Sequence, residues 1–206
     1  MPESERAITL TQNRTDLQEA LKKEIKRKVF HFFSILYTLG YIYFDRFFLL
    51  KLLTGLWLLE GTVELGRFFF PSYNEKIMGL FGGIHREEET RKFSGIFWTL
   101  LGSLLTMWLF KNRSVVLCSM GYLILGDAAA ALVGVQFGKT ILLKGKSLEG
   151  SLAFMVASFT VGIFFFPFWL SLLGAVCATL IELSPLPFND NLWVPVLSAW
   201  ILSLFT

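Results

Sequence analysis

Charge and cysteine are scarce in this chain. Of its 206 residues only 17% are charged and two are cysteine, whereas 54% are hydrophobic and 16% aromatic. A soluble domain carries about 25% charged residues. With 22 Phe and six Trp there is too little polar surface to coat a water-soluble globule. A soluble enzyme, a disordered chain and a secreted disulfide scaffold are thereby excluded. Cys118 and Cys177 each sit inside an apolar run, too few and too isolated for a zinc site or a structural disulfide. A secretory leader is not expected: the first apolar run begins at Val29, behind a long charged segment, and no A-x-A site follows it. Internal repeats and low-complexity tracts are also missing. The formal charge of +3 says little, because where the charges fall matters more than their sum.

What is there is a series of apolar runs. A helix that spans a bilayer needs about 20 mainly apolar residues. Seven segments qualify, near 29–44, 47–66, 94–110, 114–137, 148–166, 168–184 and 191–205. The expectation is an all-α polytopic membrane protein of about seven transmembrane helices. Asp45-Arg46 makes the first break a tight hairpin, Pro167 divides the fifth run from the sixth, and Ser184-Pro185-Leu186-Pro187 ends the sixth. A cytoplasmic N-terminus leaves only Arg46, Lys51, Lys111 and Arg113 of the 19 lysines and arginines outside, a strong positive-inside bias. Residues 1–14 show no periodicity and read as a disordered tail. Residues 15–28 read as an amphipathic interfacial helix, with Thr15 and Gln18 as a capping box and Leu17, Leu21 and Ile25 on one face. The remaining 29–206 form a single transmembrane domain.

Acidic residues fall where they are most costly. Glu60, Glu64, Asp127, Glu149 and Glu182 lie within or at the edge of the apolar runs. Each charged acid at mid-bilayer costs about 2.5–3.5 kcal/mol, so these side chains need partners or water. In the expected topology all five approach the basic, cytoplasmic face. There they meet His85, Arg86, Glu87, Glu88, Glu89, Asp190 and Asn191 from the loops. That asymmetry predicts a cytoplasmic polar pocket able to bind an anion through a metal, and it disfavours a pathway through the membrane. Asp127 stands among Ala128–Ala131, whose small side chains suit helix contact. A carboxylate there has the character of a Mg2+ ligand, which takes carboxylate together with phosphate oxygens. Gly134 to Thr140 reads G-x-x-x-G-K-T, one residue short of a phosphate loop and placed after a helix, so a true P-loop is not expected. Glycines near a lysine still let backbone N–H groups approach a phosphate. Ser147 is placed to cap the fifth helix, beside Lys144 and Lys146, where a helix N-terminus attracts anions. His31 follows Lys26-Arg27-Lys28 at the membrane surface.

These motifs resemble the CTP-dependent lipid kinases, the family of dolichol kinase, phytol kinase and yeast-type diacylglycerol kinase. The resemblance runs from Glu24 to Ala199. Arg27-Lys28 with His31 is similar to the family's R-K-x-x-H opening, and Glu64, Arg67, Pro71 and Asn74 to its E-x-x-R…P-x-x-N segment. Arg86 to Glu89 with Ser94-Gly95 resembles its R-x-x-E…N/T-G pattern, with Ser94 departing from the commoner residue. Gly126-Asp127…Gly138-Lys139 and Lys146-Ser147-Leu148-Glu149-Gly150-Ser151 match the central blocks. Thr179…Glu182 with Asp190-Asn191…Pro195 matches the closing one. Each block is weak alone; their order and shared face give them weight.

The resemblance implies transfer of phosphate from CTP to a membrane lipid alcohol with a divalent cation, Mg2+, at the cytoplasmic face. The membrane would be the cytoplasmic one in a bacterium and the endoplasmic reticulum otherwise. Partners would be CTP, the lipid alcohol and the bilayer, with a homodimer allowed and no nucleic acid. Asp127 would hold Mg2+, with Glu182 or Asp190 as second ligand. Lys139 and Lys146 would carry the phosphates, helped by Gly138, Ser147, Gly150 and Asn191, with Arg86 near the transferred group. Glu89, Glu149 and Asp190 remain open as the base, and His31 joins the catalytic set. The acceptor is a polyprenol, phytol or diacylglycerol. Two other activities stay in view: a CDP-diacylglycerol synthase-like cytidylyltransferase, whose K-D-x-x-x-x-x-P-G-H-G-G-type block this chain lacks, and a lipid-binding or transport protein without enzymatic activity.

Overall fold

Polar residues between the apolar runs set the helix ends. The computed structural model describes residues 19, 21, 22, 24–29, 31–80 and 92–206, in which the regular structure is helical apart from one isolated bridge between Ile141 and Ser147. Residues 24–29 are helical; Thr15, Leu17 and Gln18, on which the capping box and part of the apolar stripe rest, lie outside the described residues. Helix α1 is Ser34–Tyr43, α2 Arg46–Phe69, α3 Pro71–Leu80 and α4 Gly95–Leu109. Then follow α5, the continuous helix Arg113–Phe137, α6 Leu148–Ile163, α7 Phe168–Leu183 and α8 Asp190–Ser203.

The hairpin at Asp45 forms as the sequence predicts. Its carboxylate accepts from the N–H groups of Phe47 and Phe48 and starts α2. Ser94, Asn112, Ser147 and Asn189 cap α4, α5, α6 and α8 in the same way. Pro167 precedes α7, and Ser184 ends it. Helix α3 is an addition to the expected elements. Pro71 supplies a φ suited to the first helical position. The corner before it is tied by Arg67, which donates to Glu64 Oε1 at 2.7 Å and to Asn74 Oδ1 at 3.1 Å.

Helix α8 lies at the centre of the packing, against α4, α5 and α7, while α6 sits between α5 and α7, and α2 covers α4. Tyr122, Met107, Val115, Phe154 and Leu202 fill the core between them. The helices approach closely wherever a glycine faces a neighbour. A Cβ on Gly150 would stand 2.8 Å from the carbonyl oxygen of Ala130, so the alanine and glycine stretch is contact surface, as expected. Gly150→Val forces α5 and α6 apart and should lower the unfolding temperature in detergent by the equivalent of about 1–3 kcal/mol. An unchanged unfolding curve would show that the contact can relax.

By itself α5 is long and apolar enough to cross a bilayer, and α4, α6 and α7 are shorter apolar helices. Large apolar side chains remain exposed on many helices, among them Phe69 at 73%, Trp108 at 62% and Val156 at 61%. A surface of that kind belongs in contact with lipid or another apolar phase. Together these features suggest a membrane protein.

Candidate functional site

Near its middle α5 departs from α-helical winding: Tyr122–Gly126 forms a π-helical turn, and Asp127 is the first residue after it. Such turns widen the helix by one residue and shift the carbonyl ladder. Here the carbonyl of Leu123 accepts a hydrogen bond from His31 Nε2 at 3.2 Å. That contact fixes the ring with its proton on Nε2, 3.7 Å from Asp127 Oδ2. Lys28 donates to the same Asp127 oxygen and lies 3.8 Å from Glu24 Oε1, which also accepts from Arg27. Two turns before α1 therefore bring Lys28 and His31 onto the π-turn and Asp127, with Glu24 bridging Lys28 and Arg27. Lys28 is only 4% exposed, so its charge is matched by Asp127 and Glu24 and not by water.

A second charged group stands on the hairpin between α5 and α6. Leu142 N–H donates to the carbonyl of Lys146 at 2.7 Å and Leu148 N–H to that of Thr140 at 2.8 Å. Gly145 turns the chain with φ +71°, a value that side-chain-bearing residues rarely adopt. The hairpin delivers Lys146 Nζ to Glu182 Oε1 and Asp190 Oδ2, each at 2.6 Å, and to the carbonyl of Glu182 at 2.7 Å. Burial pulls the Lys146 pKa down, but Asp190 and Glu182 outweigh it and hold the pKa above the ordinary lysine value. Glu182 Oε2 is buried and has no hydrogen-bond partner among the described residues. Asn191 donates from Nδ2 to the carbonyl of Gly95 at 3.3 Å, tying the start of α8 to α4.

Both groups face one cavity of about 710 Å³. At its polar end His31, Asp127, Lys146, Glu182, Asp190 and Asn191 line the wall, with Ser147 and Gly150 from the N-terminus of α6. Two helix N-termini, those of α6 and α8, open on this end and favour an anion there. The other arm is apolar and runs between α1 and α2.

The remaining expected residues lie elsewhere. Gly138 and Lys139 belong to the same hairpin but not to the cavity wall. Glu149 Oε2 accepts from the backbone N–H groups of Lys139 at 3.1 Å and Thr140 at 3.4 Å, so its carboxylate staples the hairpin to α6. Glu64 and Glu60 are also engaged outside the wall, by Arg67 and by Ser94. Arg86 and Glu89 lie outside the described residues. Lys28, Arg27 and Glu24 line the cavity without having been assigned a role from sequence; the R-K-x-x-H spacing that singled out His31 was the available signal. Among the described residues no three His, Cys, Asp or Glu side chains form a metal cluster by themselves, and Asp127, Glu182 and Asp190 are each paired with a lysine.

An uncharacterised protein of Rickettsia prowazekii is 31% identical over 185 residues, 84% of this chain and 90% of its own. A CTP-dependent diacylglycerol kinase of Schizosaccharomyces pombe is 28% identical over 165 residues, 69% of this chain and 74% of that protein. An uncharacterised protein of Methanocaldococcus jannaschii is 24% identical over 187 residues, 88% and 93% of the two chains. No family profile and no solved structure matches.

Proposed function

Because the chain belongs to one family with the Rickettsia prowazekii protein and is distantly similar to a CTP-dependent diacylglycerol kinase, we propose that it transfers phosphate from CTP to the hydroxyl of a membrane lipid alcohol. The observation that carries this reading is the single cavity with an ionic end and an apolar arm. A phosphoryl acceptor that is itself a lipid needs both, in one continuous space. In this account the seven apolar runs cross the membrane, with the N-terminus and the polar end on the cytoplasmic side.

The ionic end suits an exchange of partners. Lys28 and Lys146 are neutralised by Asp127, Glu182 and Asp190. A triphosphate arriving there competes for the two ammonium groups and is drawn further by the N-termini of α6 and α8. The released carboxylates then lack a counter-charge, and Glu182 Oε2 lacks a partner among the described residues already. Asp127, Glu182 and Asp190 are hard oxygen donors that fit Mg2+ in that situation. A bound divalent ion held by these carboxylates would supply positive charge to the phosphates. Lys146 and Lys28 hold the phosphates against the wall, and Ser147 and Asn191 orient them. Of the described candidates for the base, Asp190 lines the cavity whereas Glu149 is engaged by backbone; with Asp190 as base, the cation is left to Asp127 and Glu182.

Purified protein with CTP, Mg2+ and a panel of polyprenols, phytol and diacylglycerol should form the lipid monophosphate of at least one alcohol. Chelation of the divalent cation should abolish the product, and adding Mg2+ back should restore it. Product formation unaffected by chelation would remove the cation from the account.

A further inference from the structure

The hairpin between α5 and α6 carries an apolar tip. Lys139-Thr140-Ile141-Leu142-Leu143-Lys144 puts three apolar residues in a row, with a lysine at each end. None of the three is buried: Ile141 is 64% exposed, Leu142 38% and Leu143 60%. Successive residues of an extended strand point to opposite faces. Among the described residues only the bridge between Ile141 and Ser147 pairs this strand, so no sheet covers either face. The backbone of the hairpin is nevertheless tied down. Leu142 and Leu148 donate to the carbonyls of Lys146 and Thr140, Lys146 N–H returns to the Leu143 carbonyl at 3.1 Å, and Glu149 takes the N–H groups of Lys139 and Thr140. A loop that enters lipid must satisfy its backbone polar groups within the protein, and these bonds do so on both strands of the hairpin. Lys139, expected to carry a phosphate, has an exposed side chain off the cavity wall and makes no ion pair among the described residues. A second element at the same cavity has this character. In the segment before α1, Glu24, Arg27 and Lys28 line the wall, whereas Ile25 and Val29 are exposed one turn apart, beside exposed Lys22 and Lys26.

We propose that the tip of this hairpin is seated in the bilayer surface beside the polar end of the cavity, with Ile141, Leu142 and Leu143 just below the headgroups and Lys139 against anionic headgroups. An apolar cluster bordered by lysine fits that one occupant, because the acyl boundary takes the side chains and the negative surface potential takes the ammonium group. Three large apolar side chains on a hydrogen-bonded hairpin are costly in water, and the segment before α1 offers the same pairing of apolar and basic residues to the same surface. The hairpin also delivers Lys146 to Glu182 and Asp190, so one element bears both the surface contact and part of the ionic cluster. The proposal rests on the membrane placement given above and not on the kinase chemistry. It assigns Lys139 to lipid headgroups in place of the phosphates of a nucleotide.

The test is depth-dependent quenching on the full chain in nanodiscs of mixed phosphatidylcholine and phosphatidylglycerol. An environment-sensitive fluorophore is attached at Leu143→Cys, and the unsubstituted chain, with Cys118 and Cys177, gives the background. Leu142→Cys is read in the same way, so a fold defect in one variant leaves the other to decide. Lipids spin-labelled near the head end of the acyl chain should quench the tip, and iodide in the water should not. Quenching by iodide would overturn the proposal. A tip reached by neither quencher is covered by protein, whether a second copy or another part of the chain, and overturns it as well. With the spin label moved between the two lipids, phosphatidylglycerol should quench more strongly than phosphatidylcholine, and Lys139→Gln should lower that preference by about fivefold, the effect of one lysine at an anionic surface. Equal quenching by the two lipids, or a preference that Lys139→Gln leaves unchanged, would take the lysine away from the headgroups. The two readings fail separately. A chain that does not enter nanodiscs removes the membrane placement itself, whereas a chain that enters with its hairpin in water removes only this proposal. Neither CTP nor an acceptor is needed.

Discussion

Asp127→Asn should lower lipid phosphorylation by about 1000-fold, the scale expected when one charged group aimed at a reacting phosphate is removed. The side chain emerges directly from the π-turn and shares one oxygen with Lys28 and His31, so its position is set by α5 and by the segment before α1. The same change also disturbs the fold, because Lys28 is almost fully buried and would keep only Glu24 as a counter-charge. Breaking a buried pair from one side is destabilising by about 3–5 kcal/mol, and the Glu24 contact puts this case toward the lower figure. Lys28→Met alone should destabilise similarly. Combining Lys28→Met with Asp127→Asn removes both charges and should recover most of the unfolding temperature but none of the turnover. Turnover that returned with stability would show that Asp127 serves the ion pair only.

Lys146→Gln is the second large effect. This ammonium stands between two carboxylates and a carbonyl, and its loss leaves Glu182 and Asp190 facing each other with no cation. A loss of about 3 kcal/mol or more in stability is expected, together with loss of the CTP-induced rise in unfolding temperature. Lys146→Arg keeps the charge but brings a planar fork to three acceptors gathered around one point. It should restore the fold and leave phosphate transfer at least about tenfold below the parent, roughly the effect of one misplaced hydrogen bond. Full activity in the arginine variant would reduce Lys146 to a structural charge. Its pKa is raised in the folded chain, so the stabilisation it provides is complete below the ordinary lysine range and lost only as pH rises through the raised value. A stability profile falling between pH 6 and 8 would therefore have another origin.

Helices that start or stop on a local signal were legible in the sequence. Asp45, Ser147 and Pro167 each act within one turn of themselves, so no tertiary knowledge is needed to place them. Helix α3 was not legible, because Ser72, Asn74, Glu75 and Lys76 break any apolar stripe and the element depends on Asn74 reaching back to Arg67. The π-turn has no residue signature either; Tyr122–Gly126 reads as ordinary apolar helix. At the cavity, sequence blocks pointed to several residues that line it but not to their pairing. Lys28 and Asp127 are 99 positions apart, and Lys146 and Asp190 are 44. Glu149 shows the limit from the other side. An acid in the first turn of a helix serves equally as a base or as an acceptor for nearby backbone N–H groups, and only the hairpin's return path settles which it meets. The apolar arm was hidden because a helix face that lines a slot and one that faces lipid have the same composition.

The central claim is tested most directly by following two labels through one reaction. CTP carrying label on its γ-phosphate, and separately on its α-phosphate, is supplied with Mg2+ and the lipid alcohol panel to the protein in nanodiscs, and the lipid phase is counted. The account predicts γ-label in the lipid and none from the α-position. Label from the α-phosphate would contradict it and identify cytidylyl transfer instead.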